Sequence, residues 1–393
     1  VPQPAQPPAA APMRLATVIR PYAWGSVTAL PHLFGTEPTG RPQAELWMGA
    51  HPGDPSTVDG VPLDELIARD PEGTLGERSA ARFGPVLPYL LKVLAIEHPL
   101  SLQVHPTTEQ AAAGFADETA RGVPLDAFDR NYKDASHKPE MVCAITAFHG
   151  LCGFREPTAT ADLLDLLGLA ELQPWIDTLR AEEPGHALRA VFAEMLGEPA
   201  RPVREQVERA LLGSSRDDLA VYRELARACP GDAGVTAALL LHEVRLLPGE
   251  ALYLGAGVPH AYLGGIGVEV MANSDNVLRC GLTGKHVDVP ELMRIVDFTA
   301  ADPFLVRPEE DAPGERHYRP PVPEFALTRY DLTGEDSHSL PGGLPQIVVC
   351  IEGETTLDGT LTLRPGQSAF VPAGAAATRL SGKGTAYRAL PGS

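Results

Sequence analysis

A chain of 393 residues is too long for one ordinary domain and long enough to bury more than one core. With 44% apolar and 21% charged residues it has a soluble, globular composition, and it contains no run of about 18 apolar residues that could span a membrane. A formal net charge of -19 argues against nucleic acid, yet it permits a small phosphorylated ligand, which needs only two or three cations in one pocket.

Residues 1–12, VPQPAQPPAAAP, read as a flexible Pro/Ala-rich tail without the charged and long apolar regions of a signal peptide, so folded sequence is expected from Met13. From 13 to 155, apolar stretches such as LPYLLKVLAI and PLSLQVHP alternate with Gly, Pro and Asp turns. That pattern predicts strands with a helix or two. From 156 to 241 the segments TADLLDLLGL, HALRAVFAEML, PVREQVERALL and DLAVYRELARA place apolar residues at i, i+3, i+4 and i+7, predicting an inserted helical domain. Strand and turn signals return over 242–307, pass through a loop-like acidic stretch at Pro308 to Gly314, and continue over 315–393.

An internal echo supports a repeated β unit. PGEALYLGAGVPH at 248–260 aligns without gaps on PGQSAFVPAGAAA at 365–377, an offset of 117 residues. His260 in the first copy corresponds to Ala377 in the second, so a metal bound by His260 has no counterpart ligand in the second unit.

Two scarce residue types narrow the chemistry. Cys143, Cys152, Cys229, Cys280 and Cys350 are scattered and odd in number, which reads as reduced thiols in the cytoplasm. Lysine occurs only as Lys92, Lys133, Lys138, Lys285 and Lys383 among 32 basic residues, and four of these lie in or beside the motifs below. A compact ammonium suits phosphate contact or proton transfer where a planar guanidinium does not.

Gln103 and His105 stand two apart in SLQVHP, a spacing that puts both side chains on one strand face. HKPE at 137–140 offers His137, Lys138 and Glu140, and His260 closes a further strand. Taken singly, a QxH pair or a lone His is more often incidental than a ligand. No P-loop or GxGxxG fingerprint is present, so no nucleotide cofactor is expected.

The segment HAYLGGIGVEVMANSDNVLRCGLTGK at 260–285 resembles the long signature of the type I phosphomannose isomerase family, with Cys280 where that family has Ala and Gly284 where it has Pro. YKDASHKPE at 132–140 is similar to the family's other signature, with Ser136 in place of the usual Asn. YAWGS at 22–26, AELWMGAHP at 44–52 and KVLAIEHPLSLQVHP at 92–106 resemble further family blocks in the expected order. The resemblance is specific from Met13 to about Lys285 and architectural beyond it.

The resemblance implies a mainly β protein: two cupin-like β-sandwich or jelly-roll domains with an inserted α-helical domain. Residues 13–155 plus 242–307 form the catalytic cupin, 156–241 the helices, and 315–393 a cupin-like domain without metal. It implies one Zn2+ per chain held by Gln103, His105, Glu140 and His260, an N and O set without thiolate that suits a catalytic site. Arg279 is the implied catalytic arginine. For proton transfer, His137, Lys138, Asp275, Glu269 and Lys285 stay open as candidates. Lys92, Ser101 and Lys138 resemble phosphate-contacting positions, and Trp24, Glu45 and Tyr262 pocket-lining ones. The implied reaction is aldose–ketose isomerisation of a hexose 6-phosphate, mannose 6-phosphate to fructose 6-phosphate. The alternatives are isomerisation of another sugar phosphate on the same fold and a non-catalytic sugar-phosphate-binding cupin.

Overall fold

The computed structural model describes residues 10–392. Of the expected tail, residues 1–9 lie outside the described residues, but Ala10 bridges to Ala375 and the strand Met13–Leu15 pairs with Ser368–Val371. The order thus begins before Met13, and that strand joins the C-terminal sheet instead of the N-terminal one.

The larger sheet contains eleven strands, and its centre is the strand His260–Ala272. That strand pairs with Tyr89–Ile96 and Glu140–Ala144 along its second half, and with Phe148–Phe154 and Leu102–Val104 along its first. The change of partners falls between Gly264 and Gly265, just after a register shift between Tyr262 and Gly264. Gly265 has φ +110, and a Cβ there would lie 2.6 Å from the Ala147 carbonyl oxygen, so only glycine lets the strand cross from one half to the other.

Alternation along these strands separates two environments. Leu91, Val93, Ala95, Leu46, Met48, Val268 and Val270 project to one face, where they join Phe325, Leu327, Ile347, Val349 and Tyr387 of the C-terminal sheet in a single core. The opposite face carries Lys92, Glu45 and Glu269, in cross-strand register with Trp47, Leu94 and Lys92 respectively. A polar floor is therefore held rigid by an apolar face one residue away in sequence.

The helices Pro157–Asp165, Gln173–Ala181, Pro184–Leu196, Arg201–Gly213 and Ala220–Ala228 pack a second core beneath Leu102, Val104, Leu278 and Cys280. In Ala220–Ala228 the buried residues Val221, Tyr222, Leu225 and Ala226 form one stripe, as the spacing predicts. Because Leu102 and Val104 sink into that core, Gln103 between them must face the other way. Ahead of the central strand, Ala29–Phe34, Leu63–Arg69, Pro71–Leu75, Glu77–Phe83 and Thr108–Ala120 are all helical, more than the one or two expected. Most are too short to show a period; the longest starts with a Thr107/Gln110 capping box.

One contact links the helical core to the pocket edge. Asp232 Oδ1 accepts from the amides of Gly234 and Leu282, both at 2.7 Å, and Oδ2 accepts from the Thr283 amide at 3.0 Å. Leu282 has φ +56, a left-handed conformation that a branched residue adopts only when held there. Asp232→Ala is expected to destabilise the fold by about 1–3 kcal/mol, since three amides lose a charged acceptor, and urea unfolding checks this.

The smaller sheet contains eight strands. The acidic stretch expected as a loop is instead a hairpin, Glu309–Ala312 with Glu315–Tyr318, turned at Gly314 with φ +73. Exposed acidic side chains hid the alternation, and such charges are typical of an edge strand guarded against further pairing. The internal echo is visible as structure: Ala251–Leu254 and Ser368–Val371 are strands whose bounds differ by 117 at both ends.

Candidate metal centre and catalytic pocket

His105, Glu140 and His260 converge so that one ligand atom from each lies within 4.8 Å of the others, and all three side chains are buried. Backbone carbonyls set both imidazoles. Nδ1 of His105 is 2.8 Å from the Asn276 carbonyl oxygen and Nδ1 of His260 is 2.9 Å from that of Val258, so each Nδ1–H donates and each Nε2 presents a lone pair inward. Those lone pairs face Glu140, with His105 Nε2 at 3.5 Å from Oε1 and His260 Nε2 at 3.6 Å from Oε2.

The cluster has unmet bonding capacity. His105 Nε2 and Glu140 Oε2 are buried without a hydrogen-bond partner, a costly state unless a further group binds them. Burial, aided by the Lys138 charge, lowers the His105 pKa to about 4 and keeps its ring neutral. Burial alone would raise Glu140, but the Lys138 ammonium and His105 outweigh it and hold the carboxyl well below the usual range. Two neutral imidazoles and an ionised carboxylate form a donor set that fits a zinc ion. Gln103 Nε2 lies 3.3 Å from His260 Nε2, and turning its amide over would present Oε1 at the same point.

The cluster opens on a cavity of about 400 Å³. On its floor Lys92 Nζ lies 3.1 Å from Glu269 Oε2 and 3.5 Å from Glu45 Oε2, and Glu45 also accepts from the Trp47 indole. Burial would lower Lys92, but Glu45 and Glu269 together push its pKa up. Burial raises Glu269 against the pull of Lys92. Lys138 is bonded to Glu140. On the wall, Arg279 stands opposite Gln103 in the pairing of Leu278–Gly281 with Leu102–Val104, so both side chains share one face. Among the described residues neither Arg279 nor Lys285 has a carboxylate partner, and both line the cavity. Burial lowers the pKa of each, and for Lys285 the Arg279 charge adds to it.

Residues 13–157 match the family model for the phosphomannose isomerase type I catalytic domain, and 315–391 match that for the mannose-6-phosphate isomerase cupin domain. The chain is 41% identical over 389 residues to mannose-6-phosphate isomerase of Escherichia coli (strain K12), covering 95% of this chain and 98% of that one. It belongs to the type I phosphomannose isomerase family. It is 33% identical over 357 residues to the Homo sapiens mannose-6-phosphate isomerase, covering 81% of this chain and 82% of that one. Its fold superposes with TM-score 0.90 on the apo form of mannose 6-phosphate isomerase from Salmonella typhimurium, at 39% identity, covering 98% and 100% of the two chains. A zinc-bound mannose 6-phosphate isomerase structure matches with TM-score 0.90 at 38% identity, again covering 98% and 100%.

Within this phosphomannose isomerase fold, the cavity gathers most positions singled out from sequence. Trp24, Ser101 and Tyr262 line it, and the buried Tyr262 hydroxyl has no partner. Asp275 lines it too, with its carboxylate 3.4 Å from His51 Nε2, a contact that lowers its pKa. His137 is not among the residues lining the cavity; its Nε2 is 2.8 Å from Glu324 Oε1, in the loop between two strands of the C-terminal sheet. Its neighbour Lys138 lines the cavity.

Sequence reasoning missed His51, Trp47, Thr283 and Asn276. The first two stand inside the AELWMGAHP block, so the signal was at hand. Asn276 ties the signatures together: its carbonyl orients His105, while its side chain accepts from the Lys133 amide and donates to the Asp134 and Ser136 carbonyls.

Proposed function

We propose that this chain is a zinc-dependent mannose-6-phosphate isomerase, interconverting mannose 6-phosphate and fructose 6-phosphate, with one zinc held by Gln103, His105, Glu140 and His260. The observation that carries the reading is the pair of orphaned atoms, His105 Nε2 and Glu140 Oε2, beside an Arg279 that has no carboxylate partner among the described residues. With two neutral imidazoles, a neutral amide and one carboxylate, zinc keeps a formal charge of about +1 and supplies Lewis acidity toward the sugar oxygens. Five free cysteines support a cytoplasmic setting.

The isomerisation takes a proton from C2 of the aldose and returns one to C1, through an enediol or enediolate. Arg279 neutralises the negative charge that develops on the oxygens. Lys138 and Asp275 serve the proton transfer, the ammonium as donor and the carboxylate as acceptor. Glu45, Lys92 and Glu269 form a floor in which one ammonium bridges two carboxylates, with room for the sugar hydroxyls, and Trp24 and Tyr262 bound the ring.

The charge balance moves the phosphate from where the sequence places it. Lys92 is consumed by two carboxylates, so it has no charge to spare for a dianion; Lys285, with the hydroxyls of Thr283 and Ser101, is the free cationic corner of the same cavity. With Glu140 committed to a bound zinc, Lys138 would be available to substrate. The test is kcat/KM for mannose and for mannose 6-phosphate in the zinc-loaded protein. Lys285→Ala is expected to lower only the phosphorylated value, by about tenfold or more, whereas Lys92→Ala lowers both by leaving Glu45 and Glu269 buried without their cation. Equal losses for both sugars in Lys285→Ala would remove it from phosphate binding. No turnover of mannose 6-phosphate by the zinc-loaded wild type would overturn the whole assignment.

A further inference from the structure

A second cavity, of about 420 Å³, lies where the helix Glu77–Phe83 meets the C-terminal sheet, and it shares no lining residue with the catalytic pocket. We infer that it is a binding site for a small phosphomonoester with an apolar substituent. Arg388 stands in it and is only 4% exposed. Its Nη1 donates to Gln346 Oε1 and its Nη2 to Thr328 Oγ1, but its Nε is buried with no partner. Ser79, 3% exposed, lines the same cavity, and its hydroxyl is also buried without a partner. Two unmet donors on facing elements are costly unless a ligand accepts from them.

The charges favour an anion. Arg78 and Arg82 line the cavity one helical turn apart, in no ion pair among the described residues, although like charges at i,i+4 repel. The carboxylates at the cavity are already engaged: Asp311 with Arg319, and Glu315 with His317 at 3.2 Å and His338 at 3.1 Å. Glu315 comes no nearer than 4.0 Å to Arg388. In a chain of net charge -19, a concave site with two guanidiniums in no ion pair, Arg78 and Arg82, beside the unmet Nε of Arg388 is suited to a tetrahedral dianion, whose oxygens match guanidinium forks. The remaining walls, Phe83, Phe325, Leu327, Leu344 and Leu390, are apolar and leave space for an organic group beyond the phosphate. A ligand here would touch both the helix and the C-terminal sheet, and so would strengthen their docking.

Phenyl phosphate is the probe, because it joins the two required features and cannot be isomerised. Titration calorimetry on the zinc-loaded full chain is expected to show a site whose Kd rises about tenfold or more in Arg78→Ser/Arg82→Ser and in Ser79→Ala, with kcat/KM for mannose 6-phosphate unchanged. Arg388→Lys is expected to weaken binding likewise, and circular dichroism shows whether it folds. Inorganic phosphate is expected to bind more weakly than phenyl phosphate; equal affinity would overturn the role of the apolar walls. Binding that is abolished by Lys285→Ala but untouched by the Arg78/Arg82 pair would place the probe in the catalytic pocket and refute the site. Absence of any binding at millimolar probe would refute it equally.

Discussion

His260→Ala is expected to abolish isomerase activity and to drop bound zinc from one per chain to near zero, read by metal analysis after dialysis. Losing a partner that merely orients a metal ligand costs about 10–100-fold in affinity, and His260 supplies the ligand atom itself. Its position leaves no substitute: it is fully buried, its Nδ1 is tied to the Val258 carbonyl, and the neighbouring ring of His105 already serves the same centre. The loss is confined to the site, because the strand His260–Ala272 continues for twelve residues beyond it with its apolar face intact. A matched change in the second β unit, Ala377→Ser, is expected to leave zinc content and rate unchanged, since among the described residues no other cluster of three such ligands occurs. Full zinc occupancy in His260→Ala would show that the metal is held elsewhere.

What could be read from sequence divides along physical lines. Features carried by local period were legible: the stripe of Val221, Tyr222 and Leu225, the 117-residue echo, and the inward turn of Gln103 between two apolar neighbours. Features decided by partners far along the chain were not. Nothing in the sequence pairs Lys92 with Glu269, 177 residues away, or His137 with Glu324, 187 residues away. The hairpin at Glu309–Ala312 was hidden because charge, the usual mark of a loop, here protects a sheet edge. Asp232 had no signal at all. It sits in the helical segment, and only the fold brings it to the Leu282 and Thr283 amides at the pocket rim.

Arg279→Ala is expected to lower kcat by about 10²–10³ with a smaller change in KM, the size of effect seen when one preorganised oxyanion donor is removed. Arg279 pairs opposite Gln103 in the strand Leu278–Gly281, on the face shared with that proposed metal ligand, whereas Lys285 follows the end of the strand. The lack of a carboxylate partner is what gives the charge its effect: a guanidinium already neutralised, as Arg20 is by Asp54 at 2.6 Å, has little left to offer a developing enediolate. Partial burial strengthens the interaction by excluding water, and it is also what lowers the Arg279 pKa without removing its proton at any working pH. Arg279→Lys is expected to recover only part of the loss, since a single ammonium cannot span two adjacent oxygens as a planar fork does. The decisive comparison is again between mannose and mannose 6-phosphate: a residue acting on the enediolate costs both sugars the same factor in kcat, while one acting on the phosphate costs only the second. A rise in KM for mannose 6-phosphate alone, with kcat preserved, would move Arg279 from the reacting carbons to the phosphate.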